Sequence, residues 1–150
     1  MVILMPHQMV TSVTFPDKTE QAVKGLTKIL AVSPKPIAQG VHVAPKKLPK
    51  ESVPTGKQVI VEAVGGTTTH RLRREEGYSI EVFANSFAEA EELAAEVEEA
   101  WNLLSCGANE IKASWVEGSA MRVENETTEE QRLITTTAVF TGTTTQRARG

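Results

Sequence analysis

"GYSIEVFANSFAEAEELAAEVEEAW", residues 77–101, changes its hydrophobic period halfway along, and that change decides the fold. Tyr78, Ile80 and Val82 alternate with Ser79 and Glu81, the two-residue period of a strand with one buried and one wet face. From Phe87 the apolar residues recur at three and four instead. Phe87, Ala90, Leu93, Val97, Ala100, Trp101 and Leu104 form the stripe of an amphipathic helix. Ser86 and Glu89 have the spacing of a capping box. Gly107 stands where a left-handed residue would end the helix. Glu89, Glu91, Glu92, Glu96, Glu98 and Glu99 take the remaining positions, as a solvated face does.

Upstream, "KQVIVEAV" (57–64) is rich in β-branched residues and bounded by Gly56 and Gly65, so it reads as a second strand. Between the two strands lie Gly65, Gly66 and a basic cluster, Arg71, Arg73 and Arg74, followed at once by Glu75 and Glu76. A phosphate-gripping loop needs a Lys after its glycines and a helix N-terminus, and this segment has neither. A wide hairpin loop or a bulge is expected. Three phosphate contacts give a salt slope of about −2.7, too few for firm DNA binding by one copy.

Further out, Val23, Leu26, Ile29 and Leu30 predict a helix capped by Asp17 or Thr19 and reaching about Ala31. Gly25 in its middle marks a close approach by another element. Residues 33–56 hold five of the seven prolines and four lysines, which forbids a helix. They are expected to form an arm that touches a neighbour, with a short extended piece near Val41 to Val43. After the second helix, Ile111, Ala113 and Trp115 face one way and Lys112 and Ser114 the other. "QRLITTTAVFTGTTT" predicts a long last strand with threonines on its exposed pleat and apolar contacts from Leu133, Ile134, Val139 and Phe140. The polar tail at 142–150 is expected to be mobile. The whole describes one α+β domain over 1–150, a largely antiparallel sheet with two main helices packed on one face, a long hairpin and a Pro-rich arm after an N-terminal segment, 1–15.

Totals agree with a globular domain: 150 residues, 40% hydrophobic, net charge −3. No overall basic surface advertises nucleic-acid binding. A single cysteine, Cys106, excludes an internal disulfide and fits assembly in a reducing cytoplasm. The apolar start "MVILMPHQMV" lacks a preceding Lys or Arg and is broken by Pro6 and His7, so no signal peptide is expected; nor is a membrane span. His7, His42 and His70 lie on separate segments, so neither a metal site nor a cofactor is expected. No nucleophile elbow or paired acid and base points to catalysis.

The order of an early helix, "GVHVAPKKLPKESVP", "VIVEAVGG", "SIEVFANS" and "FAEAEELAAEVEEAW" resembles the tail terminator proteins of long-tailed bacteriophages, and is most similar to versions from phages of actinobacteria, over about residues 17–104. The acidic second helix and Thr-rich last strand depart from that family. The resemblance implies a non-enzymatic virion protein forming a ring, usually a hexamer, on the last ring of tail-tube protein. Such a ring halts tube growth and presents a surface to the head–tail connector protein, with DNA passing only through its bore. It also implies that a loop at 65–77 projects Arg71, Arg73 and Arg74 toward a neighbouring subunit, the tube or the channel, with Glu92, Glu96 and Glu99 as partners. A head-closure or neck connector protein is one alternative, and a small nucleotide-binding α+β domain another.

Overall fold

In the computed structural model, which describes residues 9–107 and 110–148, the change of period at Ser86 becomes a strand, β4 (Arg73–Ala84), running into a helix, α2 (Phe87–Trp101). Before them come β1 (Met9–Thr14), α1 (Lys18–Val32), β2 (His42–Ala44) and β3 (Gln58–His70). After them come the single turn α3 (Leu104–Gly107), β5 (Ile111–Val116), β6 (Met121–Val123), β7 (Glu130–Thr141) and β8 (Thr143–Ala148). The main sheet runs β2-β3-β4-β7-β5, with β6 also on β7. All its pairings are antiparallel except β2 on β3. The architecture is α+β, as the sequence predicts.

Directly opposed residues share a face, so the ladders define the core: Val59 with Val82, Val61 with Ile80 and Ile80 with Ile134. Against this face pack Ala22, Leu26 and Leu30 of α1 and Leu93, Val97, Ala100 and Trp101 of α2. Each fully buried Leu or Val among them contributes about 1.5–3 kcal/mol. Trp101 is wholly enclosed, its ring edge-on to Tyr78 with centroids 5.0 Å apart. Its Nε1–H donates to the Thr137 carbonyl at 3.0 Å, which satisfies the polar end of a buried indole.

Asp17, of the two cap candidates, closes α1, accepting from the Glu20 N–H at 3.0 Å. Ser86 caps α2 as expected, but Glu89 completes the box one residue early, accepting from the Asn85 N–H at 3.2 Å rather than from Ser86. Gly107 does not end α2 in a left-handed turn. It lies in α3 against Gly25: a methyl on Gly107 would stand 2.8 Å from the Gly25 carbonyl oxygen and 3.1 Å from its Cα. The two glycines let α1 and α3 touch backbone to backbone, which accounts for Gly25 in mid-helix.

The Pro-rich stretch is not a free arm. Its Pro36–Ala38 turn buries Ile37 and Ala38, β2 adds a parallel strand to β3, and Val53 is buried after a second turn, Lys50–Ser52. Leu48 and the Gln58 side-chain amide exchange two hydrogen bonds at 2.9 Å, holding the segment across the outer face of the sheet. The Lys57 ammonium, buried, donates to the Ile37 carbonyl at 2.9 Å and so ties down the end of the first turn.

Other expectations of side-chain direction fail for local reasons. A bulge between Ile111 and Ala113 breaks the alternation of β5, so Ser114 turns inward and donates to the Trp101 carbonyl, while Ala113 is exposed. Phe87, counted in the apolar stripe, is 55% exposed, flanked by the guanidinium groups of Arg122 and Arg132 at 5.4 and 4.8 Å. Thr136 is buried on the helix face rather than set on an exposed pleat. β5 and β6 both pair with β7 and lie end to end along it. The tail, expected to be mobile, supplies β8, which pairs with β1 from the N-terminal segment. Residues 1–8, including His7, and 149–150 lie outside the described residues.

Candidate assembly surface

The expected loop at 65–77 is a β-hairpin with a two-residue turn at Arg71 and Leu72. β3 is buried through Val61 and exposed from Val64 to its end, while β7 backs β4 as far as Arg73 opposite Thr141. Past the level of Trp101, which meets Tyr78, the hairpin continues from Gly77 to Arg73 on β4 and from Val64 to His70 on β3, roughly 15–20 Å. Two register shifts, at Ala63/Gly65 and Thr68/His70, bend it. Gly65, at φ +116°, is the residue that the first bulge demands.

Gly66 has a different task. It lies opposite Glu76, and a Cβ there would stand 2.3 Å from the Glu75 carbonyl oxygen and 2.5 Å from a Glu76 carboxylate oxygen. The glycine thus makes room for a buried carboxylate, which pairs with Lys18 at 3.3 Å and with Arg74 at 3.7 Å. Facing a glutamate, the Gly-Gly pair is the wrong chemistry for an anion.

Arg74 is spent within the chain. Besides Glu76 it contacts Thr68 Oγ1 at 3.4 Å and stacks on Phe15, 4.3 Å from the ring centroid. Arg73, half exposed, reaches Glu75 on its own strand at 3.5 Å. Arg71 is exposed at the hairpin tip, with no ion pair among the described residues. The glutamates lie elsewhere. Glu96 and Glu99, near the end of α2, both hold Lys35, at 2.9 and 3.1 Å, and Glu92 is exposed on the same helix. Within one chain the structure therefore does not join the arginines to these acids.

Glu96 is not part of a solvated face: it is buried and accepts from the Ser33 hydroxyl at 2.7 Å. Burial pushes its carboxyl upward, but the Ser33 and Lys35 hydrogen bonds and the Lys35 charge outweigh that and hold it below the usual value. Hydrogen bonds to Glu96 and Glu99 in turn raise Lys35. Sequence reasoning missed Lys35, Phe15 and Glu76, because a lysine among prolines or a glutamate in a strand carries no periodic signal of its partners.

Beyond the hairpin tip β7 continues through Gly142 into β8, which pairs with β1 from Thr14 opposite Thr143 to Met9 opposite Ala148. The Gly142 N–H donates to the Leu72 carbonyl at 2.7 Å, and Val13 and Phe15 pack where a Gly142 side chain would be. Residues 9–14 and 143–148 thus join in a two-stranded ribbon rooted at the hairpin tip. Thr143 to Gln146 are exposed along it.

Among the described residues no group of His, Cys, Asp and Glu side chains is arranged to hold a metal ion, and no helix is long and apolar enough to cross a membrane. Cys106 is exposed on α3. The surface features that extend from the core are the hairpin and the ribbon, while the Lys35-centred acidic corner lines an open cavity of about 320 Å³ together with Ile29, Val32 and Leu103.

No protein-family model matches the sequence, and no curated protein does. The fold is shared. A chain in the structure of the virion of a native gene transfer agent particle superposes with a TM-score of 0.57 at 17% identity, over 85% of this chain and 100% of that one. The α+β architecture built around β4 and α2 is therefore one that a virion component also uses.

Proposed function

We propose that this protein is a structural virion component that forms a ring at the end of a phage tail tube, stops tube polymerisation and joins the tail to the head connector. The observation that carries the reading is the fold shared, over the full length of the other chain, with a protein of a gene transfer agent virion. The order of segments between residues 17 and 104 supports the tail-terminator assignment specifically. The extensions fit the same role, since a heterologous contact repeated between copies closes a ring when its rotation allows. In this reading the protein is not an enzyme, and the ring is a hexamer. Arg71 and Arg73 at the hairpin tip meet the acidic corner of α2, or the tube, in the next subunit. Such exposed pairs contribute about 0–1 kcal/mol each and so set register rather than strength.

Mixing the purified protein with polymerising tail-tube protein and with connector protein tests the proposal. A tail terminator binds tube ends and shortens tubes. A neck or head-closure protein binds the connector and leaves tube growth unchanged.

A further inference from the structure

We propose that copies of this chain join by strand addition, the β1–β8 ribbon of one copy pairing with the open edge of β3 in the next. β2 covers β3 only from Gln58 to Ile60, so the side of β3 away from β4 carries no strand over residues 61–70 among the described residues. That edge, "VEAVGGTTTH", has neither Lys nor Pro, which commonly guard exposed edges, and Glu62 and Val64 through His70 are exposed.

The ribbon has the complementary deficit. A two-stranded ribbon alone is marginal in water, and this one is backed by no third strand among the described residues. Its β8 strand is six residues, within the ten of the open edge. Thr143, Thr144 and Thr145 on one side and Thr67, Thr68 and Thr69 on the other are suited to cross-strand Thr–Thr pairs.

The two elements cannot satisfy each other within one molecule. β8 extends β7, and β4 stands between β7 and β3, so the open edge faces away from the ribbon's root. The occupant is therefore a second copy. Because every copy carries one ribbon and one edge, the contact is heterologous and propagates. Main-chain hydrogen bonds supply the affinity, as in other strand additions. The ring proposed above is needed only for the array to close.

Cross-linking tests the pairing. In full-length protein carrying Cys106→Ser, single cysteines are placed at Thr67 or Thr68 in one sample and at Thr144 or Thr145 in another, covering both faces. The samples are mixed, oxidised at assembly concentration and weighed in solution. The expected result is a covalent dimer in mixtures of an edge and a ribbon cysteine, absent from each sample alone and from a control pairing of an edge cysteine with Lys28→Cys, exposed on α1. A ring by mass with no edge-to-ribbon dimer overturns strand addition and leaves the ring intact. A monomer with no dimer up to millimolar protein also overturns it, leaving the tail-terminator reading to the tube assay. An edge-to-ribbon dimer without a ring supports the pairing and counts against closure.

Discussion

Gly66→Ala tests whether the Gly-Gly pair exists to seat Glu76. The added methyl would fall 2.3 Å from the Glu75 carbonyl oxygen, a backbone atom of the paired strand, so the strands must part or the hairpin must bend. Overpacking of this kind costs about 1–3 kcal/mol. Displacing Glu76 from Lys18, whose side chain is 43% exposed, adds at most about 1 kcal/mol. Against this, replacing Gly by Ala stiffens the unfolded chain, worth about 0.4–1 kcal/mol in the opposite sense. Together these give a loss of about 0–3.6 kcal/mol, centred on about 2 kcal/mol, and so a fall of roughly 4–8 °C in Tm at about 2–4 °C per kcal/mol. Urea denaturation with an unchanged slope measures it. Adding Glu76→Ala should relieve only the carboxylate part of the clash, since the Glu75 carbonyl remains. A Gly66→Ala protein as stable as the parent would refute the steric reasoning.

Trp101→Phe should lose about 2–4 kcal/mol, because the Thr137 carbonyl is left without its donor and a void opens beside Tyr78; chemical denaturation reads it. Arg71→Glu with Arg73→Glu should leave the melting temperature nearly unchanged yet weaken assembly, as followed by sedimentation at low and high salt. Arg74 is left out because it holds Glu76 and Phe15. Glu96 has a folded-state carboxyl below its unfolded value, so its contribution to stability is present above the usual 4.5 and is lost as pH falls through the lowered value. Glu96→Gln should therefore flatten the acid limb of the stability profile, measured by thermal melts from pH 7 downward.

The elements that the sequence made legible are those whose burial pattern is local. Tyr78, Ile80 and Val82 alternate because one face of β4 meets the helices, and Ser86 announces α2 because a cap needs only its own next turn. What stayed hidden depends on distant partners. β1 and β8 are Thr- and Ser-rich and pair across the whole chain length, so neither shows an apolar alternation. The prolines at 34–54 rule out a helix, but whether Ile37 and Val53 are buried is decided by β3 and α2, not by the prolines. Glu96 sits in a run of acids and differs from its neighbours only because Ser33 and Lys35 arrive from another element. The arginine cluster was visible at once, while the division of labour within it, Arg74 inward and Arg71 at the tip, was set by strand parity and by Phe15.

Electron microscopy of tail tubes grown with and without this protein bears most directly on the capping role. The account predicts that its addition halts growth and leaves one extra ring of density at a tube end. Tubes of unchanged length with bare ends, at protein concentrations well above the number of ends, would contradict it.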